Sequence, residues 1–234
     1  FTPANTGVGS NTVGEVLDPV KRTWKASFKW KPPEYNTIDF LVTTQKTDSG
    51  HDFVGNIFEK GDNMRATDNH TQYKTLILRV GFDERRHGYL NPCEDVIQDK
   101  LPRKTTREDA SSYKPAPFYP VNPTPQYPAY ICNIVLENKG NTDVMTTEDK
   151  EQVIEDETIV EFRYDKTRDK YWQWVPIRVR LDKTADYRSN GRNYGNAYHV
   201  AQSVWNSIHN PITHEMITTG EKIPNLVADD DVYY

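Results

Sequence analysis

The chain is short of cysteine, of long apolar runs and of net charge, and each shortage excludes something. Only Cys93 and Cys132 occur in 234 residues. They form no CxxC pair and lack histidines at zinc-ligand spacing, so a zinc site is not expected. Free thiols in a reducing compartment are a better reading than a disulfide. The six histidines, at 51, 70, 87, 199, 209 and 214, are scattered. There is no HExxH, and His214-Glu215 has no second histidine behind it, which argues against a metalloprotease-type centre. No apolar run approaches the roughly 20 residues of a membrane-spanning helix, and no signal-peptide core is seen. A soluble, intracellular protein is expected. The net charge of −5 gives no global nucleic-acid signature. It leaves room for a local basic stripe, because local charge steers ligands more than the total does.

What is present is polar and aromatic. Hydrophobic residues make up 35% of the chain and mean hydropathy is −0.83, while tyrosine alone contributes 14 residues. A thin core with much loop is expected. No internal repeat is visible.

Hydrophobic spacing predicts mainly strands. Trp24–Lys31 and Thr37–Thr43 read as a strand pair, with Pro32-Pro33 and Asn36 in the turn. Residues 44–72 read as insertion or loop around the short apolar piece Phe53–Phe58. Tyr73–Phe82, Tyr130–Leu136, Thr158–Asp165 and Tyr171–Asp182 read as strands, the last two as a hairpin. Six prolines between 115 and 128 predict a stiff, extended crossing over the surface, not a central strand. Residues 148–157 hold six acids and one lysine and read as a solvated loop. Beyond Gly195 the period changes. Ala197, Val200, Ala201, Val204, Trp205 and Ile208 recur at three and four, which predicts an amphipathic helix closed by Pro211 and packed on the barrel or on the neighbouring domain. Thr213-His214-Glu215 opens a short second helix. The strand count over 73–185 suits a small five-stranded OB-type barrel, and sandwich modules fit almost as well.

Two segments about 150 residues apart alternate cations with apolar residues. One is Phe28-Lys29-Trp30-Lys31-Pro32, followed by Thr37-Ile38-Asp39-Phe40. The other is Trp174-Val175-Pro176-Ile177-Arg178-Val179-Arg180-Leu181-Asp182-Lys183. On strands, each would put two cations on one face, and together they could surround a polyphosphate. Arginine offers planar bidentate donors for phosphate oxygens and lysine a point charge. Taken singly, either segment reads as an ordinary edge strand, where lysine is common. Trp172, Trp174, Tyr171 and Tyr164 could stack bases, but read first as barrel core and rim.

As a pair, K-W-K-P…T-I-D-F and R-x-R-x-D-K resemble the fifth and sixth signature motifs of the mRNA capping guanylyltransferases. These belong to the covalent nucleotidyltransferase superfamily, with the DNA and RNA ligases. The tryptophan between the lysines and the T-I-D-F tail favour the capping enzymes. The stretches around YKTLILRVGFDE, HGYLNPCEDVI and NYGNAYHVAQSVWNSIHNPIT are similar to those of capping enzymes from large DNA viruses.

The resemblance implies a mainly β chain in three parts. Residues 1–45 end a nucleotidyltransferase (ATP-grasp/ligase-like) domain. Residues 46–190 form an OB-fold domain with insertions, including a proline-rich crossing at 113–128 and an acidic loop at 141–157. Residues 191–234 form a helix and linker toward a following domain. It implies GTP as substrate, Mg²⁺ or Mn²⁺ as cofactor, and the 5′ end of RNA as acceptor. The implied neighbours are upstream nucleotidyltransferase and triphosphatase domains and a downstream methyltransferase. The implied location is the cytoplasm, in a viral factory or virion, or the nucleus. Lys29 and Lys31 would contact the α-phosphate region, and Arg178, Arg180 and Lys183 the β- and γ-phosphates, with Asp182 as their partner. Asp39 stands between a structural and a metal-proximal role.

One departure is plain. The family's nucleophile is the lysine of K-x-D-G, and none occurs here. Lys46-Thr47-Asp48-Ser49 and Lys60-Gly61-Asp62-Asn63 lack the glycine, follow the fifth motif instead of preceding it, and read as loop. The nucleophilic lysine is therefore expected upstream, and this chain alone is expected to be inactive. The alternative is a non-catalytic OB module that binds single-stranded RNA or a methyltransferase partner.

Overall fold

The computed structural model describes residues 29–57, 71–88 and 113–220. Over these it is mainly β. The strands are β1 (Thr37–Thr44), β2 (Val54–Ile57), β3 (Thr71–Asp83), β4 (Tyr113–Pro117), β5 (Ile131–Lys139), β6 (Thr142–Thr146), β7 (Val153–Ile154), β8 (Thr158–Tyr164) and β9 (Trp174–Val179). The helices are α1 (Glu84–His87), α2 (Leu181–Asn190), α3 (Tyr198–His209) and α4 (His214–Thr219).

The strands form one antiparallel sheet in the order β7-β6-β5-β3-β1-β8-β9. β3 is long enough to serve four neighbours, with β1 and β2 along one edge and β4 and β5 along the other. The sheet curls until its ends nearly meet. The Glu148 amide, just after β6, donates to the Pro176 carbonyl of β9 at 2.8 Å. The Val179 amide of β9 donates to the Gln152 side chain at 2.7 Å. The result is a nearly closed, barrel-like sheet.

Period-two alternation builds the interior. Ile38, Phe40 and Val42 of β1 meet Leu76, Leu78 and Val80 of β3, Val160 and Phe162 of β8, and Trp174 and Val179 of β9. α3 covers this core with Ala201, Trp205 and Ile208, the stripe expected from its spacing. Tyr164, Trp174 and Phe118 ring the buried Trp205. Aromatics supply the largest side chains of a core that is otherwise mostly aliphatic.

The structure differs from the sequence reading in several places. Lys29–Pro32 is not a strand: Pro32 and Pro33 lack donors, and a 3-10 turn (Pro33–Tyr35) follows. The earlier part of that expected strand, Trp24–Phe28, lies outside the described residues. The proline-rich crossing is not merely superficial. Its first part pairs with β3 as β4, where the proline positions need no amide, and Phe118 then enters the core with no exposure. The acidic 141–157 segment contains β6 and β7, and Ile154 is buried among its acids. β2 lies inside the expected insertion, and Phe58 falls outside the described residues.

The largest difference is α2, a helix where a strand was expected to run to Asp182. The Arg180 amide makes the last sheet bond, to Ile159, at 2.7 Å. The Arg180 carbonyl then accepts from Thr184 and starts the helix. α2 ends at Gly191, whose φ of 68° suits glycine. The expected boundary at residue 45 falls between β1 and β3, which are hydrogen-bonded neighbours. No helix among the described residues is long and apolar enough to cross a membrane.

Candidate functional site

β1 carries Asp39 on the face opposite Phe40. Two devices fix it there. On one edge, β1 pairs with β8 so that Asp39 lies opposite Glu161. On the other edge β1 extends past its last pair with β3, Leu41↔Arg79, and residues 193–197 fill the gap as a strap. The Asp39 amide donates to the Asn196 side chain, and the Asn196 amide donates back to the Asp39 carbonyl, both at 2.8 Å. Gly195, at φ 80°, lies so close that a Cβ there would stand 2.3 Å from the Asp39 carbonyl oxygen. Only glycine fits.

The second segment arrives through β9. β8 pairs with β9, and the chain then turns into α2. This places Arg180 at the helix N-cap and Lys183 one turn in, both beside Asp39 across 141 and 144 residues of sequence. Arg180 Nη1 donates to Asp39 Oδ2 at 2.7 Å, and Lys183 Nζ donates to the same oxygen at 2.6 Å. Arg180 also forks onto Asp182, with Nε and Nη2 donating at 3.2 and 3.0 Å. The Asp39 side chain is only 8% exposed and those of Arg180 and Lys183 are 22% and 26% exposed, so the cluster is largely shielded but reachable.

Arg178, two residues earlier, is outside this cluster. Its Nε donates to Glu161, which also accepts from the Thr37 hydroxyl at 2.6 Å. Partial burial works against a charged Glu161, but the Thr37 and Arg178 bonds outweigh it and hold its pKa below the usual glutamate value. The bond from Arg180 lowers that of Asp182 in the same way. Thr37-Ile38-Asp39 thus meets the R-x-R-x-D-K segment twice, through Thr37–Glu161–Arg178 and through Asp39–Arg180–Lys183.

Lys29 and Lys31 are exposed, with no ion pair among the described residues. They line an open cleft of about 820 Å³ with Trp30, Thr37, Val204, Asn206 and Ile212. Trp30 is anchored by its indole N–H, which donates to the Ile212 carbonyl at 2.7 Å. Lys31 also shares a neighbouring cleft of about 550 Å³ with Glu161 and Ile177. The structure therefore joins Asp39, Asp182, Arg180 and Lys183 directly and Arg178 through Glu161. Lys29 and Lys31 approach only along the Thr37–Glu161 side.

Sequence reasoning missed Glu161, Thr37 and the Asn196 strap. Alternation within Thr158–Tyr164 puts Glu161 on the outer face, but only strand register could pair it with Asp39. Lys46, from one near-miss nucleophile motif, is held by Asp52 and by Asp156 at 2.9 Å beside a tight turn. The other near miss, at 60–63, lies outside the described residues.

A divalent cation has no evident protein cage here. Among the described residues no group of three His, Cys, Asp or Glu side chains converges, and the Asp39 Oδ2 atom is already taken by two cations. The donor set does not fit a resident metal.

Comparisons with known proteins come from one direction. No family profile and no solved structure matches the chain significantly. A protein named probable mRNA-capping enzyme, from Acanthamoeba polyphaga mimivirus, is 30% identical over 213 residues. The match takes in 86% of this chain but only 15% of that much longer protein. The chain is thus similar to a segment of a viral mRNA-capping enzyme, as its paired lysine and arginine segments suggest.

Proposed function

We propose that the chain is part of an mRNA guanylyltransferase, which moves GMP from GTP to the 5′-diphosphate end of RNA through a lysyl-GMP intermediate. The observation that carries this reading is the convergence of two distant segments on Asp39. The segments are the two whose residues resemble the family's phosphate-contacting motifs, and the relative's printed name agrees with capping.

In this reading the barrel is of the OB type. What supports it is a ring of five strands: β1, β3, β5–β6, β9 and β8 neighbour one another in turn, β8 pairs back with β1, and the β6–β9 contact closes the ring. β1 opens that barrel, and the nucleotidyltransferase part ends in the residues before it. The nucleophilic lysine comes from a segment outside these 234 residues, as do the triphosphatase and methyltransferase activities. Mg²⁺ or Mn²⁺ comes with the phosphates of GTP.

The chemistry follows from donor counting. Arg180 has five N–H donors and spends three on Asp39 and Asp182; Lys183 spends one of three on Asp39. Both retain donors for phosphate oxygens. Asp39 holds them together on one oxygen, so they are set in place before charge builds on departing pyrophosphate. Arg178, with its side chain 59% exposed, can swing from Glu161 toward the same phosphates. Lys29 and Lys31 meet the α-phosphate from the other side.

Adduct formation tests the reading. The chain and its longer parent are incubated with labelled GTP and a divalent metal, then probed for an acid-labile, alkali-stable label. Label on the parent alone supports the proposal. Label on the 234-residue chain would place the nucleophile within it, and label on neither would favour a non-catalytic module.

A further inference from the structure

A further cavity lies on the other face of the sheet from Asp39 of β1 and Glu161 of β8. Tyr164 is three residues along from Glu161, so its side chain projects to the opposite side of the strand. There, residues 123–129 of the proline-rich crossing, the β8–β9 connection and the end of α3 enclose about 300 Å³. This is at the lower end of the roughly 300–1,000 Å³ typical of small-ligand pockets. The guanylyltransferase reading uses none of these residues.

Five flat aromatic rings stand in its walls: Tyr127, Tyr164, Tyr171, Trp174 and Trp205. Both indole N–H groups are already spent on carbonyls of the crossing, Trp174 on Ala129 and Trp205 on Pro123. The tryptophans therefore form rigid walls, and edge recognition falls to other groups. Gln173 has its carbonyl oxygen fixed by the Tyr164 hydroxyl at 2.8 Å, and its amino group has no partner among the described residues. His209 Nδ1 lies 2.9 Å from the Trp205 carbonyl, which can only accept, so that nitrogen carries a proton and Nε2 is left for a ligand. Burial lowers the His209 pKa, which favours the neutral ring with Nε2 as acceptor. A donor and an acceptor thus sit among π faces.

One lysine stands beside the cavity. Lys170 Nζ lies 4.0 Å from the centre of the Tyr127 ring and 4.5 Å from that of Tyr171. Aromatic faces, polar edges and a neighbouring lysine are the combination that holds an unpaired base and its phosphate. An apolar peptide would leave Gln173 and the lysine without a role.

We propose that this cavity takes one base of a single-stranded RNA, with the adjoining phosphate at Lys170. It stands independently of the phosphate site and would hold the RNA strand away from it. A free mononucleotide shares the chemistry of the base, so the test must separate the two sources.

The test is fluorescence anisotropy with a labelled oligoadenylate of about ten nucleotides, long enough to cover a typical OB-fold site, and the full chain. Tyr127→Ala and Lys170→Ala should each weaken binding by about tenfold, the scale of one stacked base. An abasic strand of the same length should bind the wild type about as weakly as the RNA binds Tyr127→Ala. Tyr127 and Lys170 are both exposed, and unchanged melting curves would show that the variants fold. Unchanged affinity in both variants, or equal binding of the abasic strand, overturns the proposal. Competition by free AMP or GMP at the strand's own concentration overturns the RNA assignment in favour of a mononucleotide. Loss of guanylylation in Arg180 or Lys183 variants has no bearing on this result, so the two readings fail separately.

Discussion

The two faces of β8 do opposite work with the same alternation. The inner face sends Phe162 and Tyr164 into an aromatic core around Trp174 and Trp205. The outer face sends Glu161 and Arg163 into ion pairs with Arg178 and Glu148, next to the Asp39 cluster. Inner contacts are numerous and non-directional, so they set stability. Outer contacts are few and directional, so they fix positions. Under the proposed function, the outer cations would change partners on meeting a phosphate, without loss of the barrel.

The comparison can be broken at four strengths. Phe162→Ala, on the inner face, should cost about 3–5 kcal/mol, read as a fall in the denaturant midpoint, because the residue is fully buried. Asp39→Ala should cost about 3 kcal/mol, at the low end for breaking a shielded pair, because Arg180 keeps Asp182. The same variant of the longer parent should lose most adduct formation, since Arg180 and Lys183 lose their common anchor. A variant that kept full adduct formation would make Asp39 purely structural.

Glu161→Gln should cost about 1 kcal/mol and show a pH signature. The native state depresses the Glu161 pKa, so its stabilising effect is full above the ordinary glutamate value of 4.5 and fades as pH falls through the lower native value. The stability gap between wild type and Glu161→Gln should therefore narrow below about pH 4.5. A gap that did not change with pH would assign the loss to packing. Lys29→Ala and Lys31→Ala should move stability by no more than about 0.5 kcal/mol, because both side chains are exposed. Their effect should appear in adduct formation alone, and a larger loss of stability would mean that they support the fold.

Alternation made β3 and β8 legible, and three-four spacing made α3 legible, because each buries one regular face. α2 was not legible. Its sequence, Leu181 to Asn190, has no apolar stripe, Leu181 is exposed, and its chief anchor is the Thr184 hydroxyl, which accepts from the Ile159 amide. The prolines before Phe118 signalled a surface crossing and hid a core residue that follows β4. At the site, Arg180, Asp182 and Lys183 stood out by the chemistry of their spacing, and Asp39 through the resemblance to the capping-enzyme motif. Their meeting did not, because it depends on the β1–β8–β9 register and on a strap held by Gly195. Nothing local to Thr158–Tyr164 marks Glu161 as the bridge to Thr37.

The most direct test of the central claim separates the two half-reactions in the longer parent. Enzyme–GMP formation from GTP and GMP transfer from a preformed adduct to diphosphate-ended RNA are measured for Arg180→Ala and Lys183→Ala. If these residues act on the departing pyrophosphate, the first step should fall by at least about a hundredfold, the scale of a lost transition-state donor, while the second is largely preserved. Equal loss in both steps, or none in either, would contradict it.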